Sequence, residues 1–218
     1  MGGLQLLWYR FIRWLAKVLV FQATGGMKVI GAERVPKHGA LIVAPNHSSY
    51  LDPPAMGCSL PRPLTFMAKG ELFKNKLFGK LIRSLGAFPV HRGTTDMESI
   101  RLALSILDSG RALLVFPEGT RNSGDDLLPF NRGVEMLARK SGAAVLPTAI
   151  IGSAQKWGKG KGFKFAKVTV VFGTPIKTSD FDGQGKEAFT QALEGQIRSM
   201  LAEHGQAPKT AVNMTPGP

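Results

Sequence analysis

The chain has 218 residues, 44% of them hydrophobic, with one cysteine and a formal net charge of +13. This length suits one domain with an appended element. The apolar content excludes wholesale disorder, and a lone cysteine excludes an internal disulfide framework and suits a reducing compartment. The cationic excess points to an anionic partner (nucleic acid, a lipid surface or an acidic protein) without choosing among them.

The first predicted element lies in residues 1–26, MGGLQLLWYRFIRWLAKVLVFQATGG. Leu4, Leu7, Trp8, Phe11, Ile12, Leu15, Val18 and Leu19 recur at helical spacing, with Arg10, Arg13 and Lys17 on the opposite side. Tyr9 and Trp14 fall at the two borders, where amphipathic rings suit a headgroup layer. Residues 4–20 span roughly 25 Å as a helix, short of the ~30 Å hydrocarbon core, and three cations would have to cross it. The stretch reads as an amphipathic helix in a membrane interface. The same stripe would serve a helix packed on the protein's own core. Charges interrupting the apolar segment, and the lack of an A-x-A site, argue against a signal peptide.

After Gly25-Gly26, short apolar runs alternate with helical patterns. Strands are predicted at 40–45, 64–69, 87–90, 112–117, 144–151 and 167–173, and helices near 53–60, 71–84, 95–109, 131–141 and 184–203. This alternation predicts an α/β domain over 27–204, a mixed, largely parallel central sheet flanked by helices. Residues 205–218 have no apolar period and read as a flexible tail. Cys58 reads as a buried, inert thiol. The segment 155–167, QKWGKGKGFKFAK, has five lysines, three aromatic residues and no acid. It reads either as a solvated basic hairpin loop or as a contact for anionic lipid. No nucleic-acid motif accompanies it.

Ligands of open α/β sheets gather beyond the carboxyl ends of strands. The run ALIVAP is followed there by NHSSYLD, with His47 and Asp52. In one helix these two side chains would point about 140° apart. Two readings stay open on the residues alone. Asp52 is a helix cap beside an ordinary hydrogen-bonded histidine, or a turn through residues 48–51 brings the pair together. In the second case Asp52 fixes a tautomer of His47 and makes it a better base. Other strand ends supply Lys69 and Glu71, then Arg92, then Glu118, Gly119 and Arg121. An arginine in a glycine turn is a natural fork for phosphate.

These segments resemble the glycerolipid acyltransferase superfamily. NHSSYLD matches its N-H-x4-D motif, GAFPVHR resembles G-x-x-x-x-R, FPEGTR matches the third motif letter for letter, and VLPTAII resembles the proline-bearing fourth. The resemblance covers roughly residues 25–180. It implies transfer of a fatty acyl group from an acyl carrier protein or coenzyme A thioester to the sn-2 hydroxyl of 1-acyl-sn-glycerol-3-phosphate. Glycerol-3-phosphate or another lysolipid is the alternative acceptor. By the same resemblance, His47 is the general base and Asp52 orients it. Arg92, Arg121, Lys69, Glu118 and Gly119 surround the acceptor phosphate, and Asn46, Pro117, Thr120 and Pro147 shape the pocket. No metal or cofactor is expected beyond the thioester co-substrate, and no H-E-x-x-H or Cys/His cluster occurs. The expected setting is peripheral or monotopic, on the cytoplasmic face of the cell membrane. Direct transfer is expected, since neither G-x-S-x-G nor a cysteine beside a base is present. The rival classes are a hydrolase using Ser48 or Ser49, and a non-enzymatic membrane-binding protein.

Overall fold

The computed structural model of the chain describes residues 3–90, 97–122, 124, 126–158, 162–185 and 187–205. Seven strands form one sheet: β1 (Met27–Ile30), β2 (Leu41–Pro45), β3 (Leu64–Lys69), β4 (Ala87–Val90), β5 (Ala112–Leu114), β6 (Ala144–Ile151) and β7 (Val168–Phe172). Their order is β1-β7-β6-β2-β5-β3-β4. Neighbours are parallel except β6 and β7. The α/β expectation therefore holds. β2 and β6 are apolar runs because both faces of the sheet are covered. Along β2, Ile42 and Ala44 enter one core cluster while Leu41 and Val43 enter the other.

The helices are α1 (Gly3–Ala16), α2 (Asp52–Ser59), α3 (Lys76–Ser84), α4 (Met97–Asp108), α5 (Gly133–Ser141), α6 (Ser153–Trp157) and α7 (Ala188–His204). The connections β2–α2–β3 and β3–α3–β4 step toward the β4 edge, and β4–α4–β5 and β5–α5–β6 step back. Right-handed crossovers then place α2 and α3 on one face and α4 and α5 on the other. The clusters agree: Ala55, Met56 and Cys58 of α2 pack on one face, with Phe21 after α1, and Ala103, Leu137 and Leu193 of α4, α5 and α7 pack on the other.

Some expected elements change. β1 was not among the predicted strands; it is a four-residue edge strand created by its pairing with β7. β5 stops at Leu114 rather than 117 because the chain turns at Phe116, whose carbonyl accepts from Gly119 N at 3.0 Å. The helix expected over 71–84 divides into a 3-10 turn, Gly70–Phe73, and α3. Asn75 caps α3, its Oδ1 accepting from Phe78 N at 3.0 Å. The start of the basic segment 155–167, residues 155–157, belongs to α6, a helix the basic composition concealed. Lys156 in it is fully buried rather than solvated, donating to the carbonyls of Thr24 and Ala166. Burial pushes its pKa down.

α1 continues through a π-helical turn, Lys17–Phe21, and a 3-10 turn, Gln22–Thr24. At Gly25, φ is +124°, and a Cβ there would lie 2.6 Å from the Ala166 carbonyl carbon, so the exit from the helix needs glycine. The two border aromatics diverge. Tyr9 is buried and its hydroxyl accepts from Leu64 N at 3.3 Å, whereas Trp14 stays exposed. The thiol of Cys58 donates to the Arg13 carbonyl at 3.5 Å, so α1 packs on α2. Burial lifts the Cys58 pKa to about 11, as an inert thiol requires. Leu4, Leu7, Trp8, Phe11, Trp14 and Leu19 all remain exposed. The helix thus turns a border, not its apolar stripe, toward its own core. No described helix is long and apolar enough to cross a membrane.

Candidate active site

The five parallel strands from β6 to β4 end on one side of the sheet, and residues 46–51 leave β2 there. Asn46 continues the β2–β6 ladder with its side chain: Nδ2 donates to Ile150 O at 3.0 Å and Oδ1 accepts from Ile150 N at 2.7 Å. Both ends of its amide are occupied by the sheet, so it is a strut rather than the pocket wall expected. The turn 48–51 then folds back, and α2 begins at Asp52 with proline in its first turn.

Asp52 is fully buried and does not cap α2. Its Oδ2 accepts from Ser48 N at 2.7 Å, from Ser49 N at 2.8 Å, and lies 2.8 Å from His47 Nδ1. An oxygen that already receives two amide N–H groups acts as an acceptor toward the third partner. Nδ1 therefore carries the ring proton, and Nε2 is left as the basic nitrogen. The imidazole stacks on Phe116 with centroids 3.7 Å apart, and the side chain keeps 14% of its surface accessible.

The backbone of His47 is tied to the β5–α5 connection from both ends. Its N–H donates to Glu118 Oε1 at 2.7 Å and its carbonyl accepts from Asn122 N at 2.7 Å. Glu118 Oε2 accepts from Leu128 N at 3.0 Å. Glu118 was expected beside the acceptor phosphate. It is instead buried with both oxygens on backbone donors, and a carboxylate there would repel a phosphate. It holds the backbone of His47 in place. Gly119 turns the chain at φ +67°, and a Cβ would meet Asn131 Nδ2 at 3.0 Å. Pro117 is buried behind the turn, its carbonyl accepting from Asn131 N, and Thr120 is exposed at the rim.

Arg121 lies against this loop pair. Its guanidinium carbon sits 3.6 Å from the centroid of Tyr50, and its Nη1 is buried without a hydrogen-bond partner. Tyr50 also meets Trp157, and Trp157 meets Phe163, in a partly exposed aromatic row. Tyr50, Phe116, Asn122 and Trp157 were not foreseen. Tyr50 and Phe116 at least lie inside motif segments, but nothing in their spacing reveals a ring against a guanidinium or an imidazole.

The remaining expected residues are dispersed. Lys69 is exposed at the end of β3, with β5 between it and β2, hence about 10 Å from the His47 strand at the usual strand spacing. Pro147 is buried in β6, opposite Ala44, between the isolated Val145–Ile176 bridge and the start of the β7 ladder. A residue without an N–H is tolerated in that gap, so Pro147 acts within the sheet rather than as a pocket wall. Arg92 lies outside the described residues. The serines do not present nucleophiles. Ser49 Oγ is buried, donating to Trp157 O at 2.6 Å and accepting from Leu51 N, and Ser48 Oγ pairs with Ser153 Oγ at 3.3 Å. A separate cleft of about 410 Å³ beside α5 holds Glu135, Arg139 and Asp182, whose charges pair with one another and leave no base.

The Acyltransferase family profile matches residues 26–151, more than half of the chain and the whole span from β1 to β6. This chain belongs to the acyltransferase family. It is 32% identical to the 1-acyl-sn-glycerol-3-phosphate acyltransferase of Bacillus subtilis, over 88% of this chain and 96% of that one. It is 36% identical to the lyso-ornithine lipid O-acyltransferase of Pseudomonas aeruginosa, over 65% of this chain and 53% of that one. Among solved structures it is similar to the 1-acyl-sn-glycerophosphate acyltransferase PlsC from Thermotoga maritima. There the TM-score is 0.79 and the identity 29%, covering 89% of this chain and 78% of that one. In this acyltransferase the N-H-x4-D spacing is a backbone loop closed on one carboxylate oxygen.

Proposed function

We propose that this acyltransferase moves a fatty acyl group from a thioester of acyl carrier protein or coenzyme A to the sn-2 hydroxyl of 1-acyl-sn-glycerol-3-phosphate, giving phosphatidic acid. The observation that carries the reading is the loaded Asp52 oxygen, which fixes Nδ1 of His47 as a donor and leaves Nε2 basic. Nε2 takes the acceptor hydroxyl proton as the oxygen bonds to the thioester carbonyl carbon. The tetrahedral intermediate collapses, the C–S bond breaks, and the leaving thiolate recovers the proton from Nε2. Asp52 steadies the transient imidazolium. Because Ser48 and Ser49 are committed to internal partners, transfer is direct and no acyl-enzyme forms. Arg121 receives the phosphate, and its buried Nη1 without a partner supports that role.

The exposed stripe of α1 meets the bilayer from the side where the acyl donor is made, so the protein is peripheral on the cytoplasmic face. A second acceptor, another lysolipid, is favoured by the similarity to the lyso-ornithine lipid enzyme. The test is His47→Ala assayed with both donors and a panel of acceptors. Turnover of lysophosphatidate should fall by roughly 10²–10⁴ while the fold survives. A folded variant of undiminished activity overturns the mechanism, and a wild type that prefers a lysolipid without a phosphate overturns the acceptor.

A further inference from the structure

α3 shares a sheet face with α2 and α1, and the indole N–H of Trp8 on α1 donates to Ser84 Oγ at the end of α3 at 2.9 Å. Only Gly79 and Ile82 of its nine residues are buried. Leu77 is 82% exposed and Phe78 and Leu81 are exposed with it, as is Leu72 on the preceding 3-10 turn. At 100° per residue, Leu77, Leu81 and Phe78 fall within an arc of about 100°, and Lys76, Lys80 and Arg83 lie along the adjoining flank. Turn and helix form one unit: a Cβ on Gly79 would come 3.0 Å from Phe73 O, and Arg83 sits over the Phe73 ring at 4.7 Å. Single apolar side chains on a surface are ordinary, but four within one turn and one helix are a patch.

We propose that α3 and its preceding turn are a second membrane-contact element, seated beside α1 in the surface of an anionic bilayer. The proposal rests on the reading that the α1 stripe meets lipid. Charge selects the occupant. A second copy would face Lys74, Lys76, Lys80 and Arg83 with the same four cations, on a chain of net charge +13. Anionic headgroups neutralise these cations while Leu72, Leu77, Phe78 and Leu81 enter the acyl boundary. α3 follows the carboxyl end of β3, the end of the sheet that carries His47, so the contact holds that end against the lipid.

The test uses the full chain with Cys58 replaced by Ser and one new cysteine, Leu77→Cys, Phe11→Cys or Lys140→Cys, each carrying an environment-sensitive fluorophore. Lys140 is exposed on α5, on the opposite face. Vesicles of phosphatidylcholine with about one-third phosphatidylglycerol supply the anionic surface. The expected result is blue-shifted, brightened emission, quenched by nitroxide lipids, at positions 77 and 11 and not at 140. If position 11 responds and 77 stays water-like, the α3 proposal is overturned and the α1 reading stands. If neither responds, both fall. A blue shift at 77 without vesicles, with a dimer in sedimentation, overturns it in favour of a second copy. Independently, Leu77→Gln combined with Phe78→Gln should weaken vesicle cosedimentation about tenfold or more with an unchanged circular dichroism spectrum. Undiminished cosedimentation overturns the proposal.

Discussion

Replacing Glu118 by Gln separates a group that positions the base from one that touches the substrate. Each Glu118 oxygen accepts from a backbone N–H, His47 at 2.7 Å and Leu128 at 3.0 Å, and the residue is 8% exposed. Glutamine offers one carbonyl and one NH2, so in either orientation the NH2 faces a backbone donor and one buried N–H loses its partner. Hydrogen bonds to a charged acceptor contribute about 1.5–3 kcal/mol and an orphaned buried donor costs about 1–3 kcal/mol, so a loss of about 2–4 kcal/mol in unfolding free energy is expected. The catalytic consequence runs through His47, whose own N–H is one of the two donors. A displacement of about 1 Å at a reacting group can cost 10²-fold. Urea unfolding and initial rates across lysophosphatidate concentrations at saturating donor measure both effects. Lower stability, kcat reduced about 10²-fold and KM for the acceptor within about twofold of wild type are expected. Unchanged unfolding and kcat with a raised acceptor KM would refute the positioning role and return Glu118 to the acceptor.

Two other perturbations test different parts of the molecule. Arg121→Lys keeps the charge but loses the planar fork, so KM for lysophosphatidate should rise about tenfold with a smaller effect on kcat; equal rise for an acceptor without a phosphate would contradict phosphate binding. Cys58 ionises near its ordinary 9.0 when unfolded and at about 11 when folded. Its burial therefore contributes stability below pH 9 that is lost as the pH rises through about 11. Wild type should lose about 2 kcal/mol more than Cys58→Ala between pH 8 and 11, measured by denaturant unfolding, and parallel pH curves would show that the thiol carries no such linkage.

The strands legible in the sequence were short apolar runs closed by glycine or proline. Residues 64–69, 87–90 and 144–151 were bounded as observed, because an apolar run closed by glycine or proline has no other stable use. β1 escaped because an edge strand of four residues, half exposed, is defined by β7 and not by its own pattern. The helical period of residues 4–19 revealed a stripe but not its direction; only the contacts of Tyr9 and Arg13 decide that. In the site, the approach of His47 to Asp52, one of the two readings the residues left open, was legible because both groups are side chains. Glu118 was misplaced for the complementary reason. A carboxylate next to an arginine at a strand end reads as a ligand group, and its true partners are main-chain N–H groups that no sequence displays. Lys156 shows the same effect. Five lysines in a short segment read as solvated, yet this one closes a junction between two carbonyls.

The five-residue separation of His47 and Asp52 is set by the loop and not by a helical period. Two side chains so spaced on one helix diverge. Here the carboxylate sits in the first turn of α2 and reaches backward, and the amides of Ser48 and Ser49 converge on the same Oδ2 as the imidazole. One residue fewer would remove one of the amides that holds this oxygen, and one more would carry the carboxylate into the next part of α2. Pro53 and Pro54 stand in the first turn of α2, where a residue without an N–H loses no helical hydrogen bond. The imidazole inherits its tautomer from three donors on one atom, and its position from Glu118 and Asn122 on the neighbouring loop. The tautomer and the placement of the imidazole thus come from different segments, so substitutions in 116–122 should move His47 without altering which of its nitrogens carries the proton.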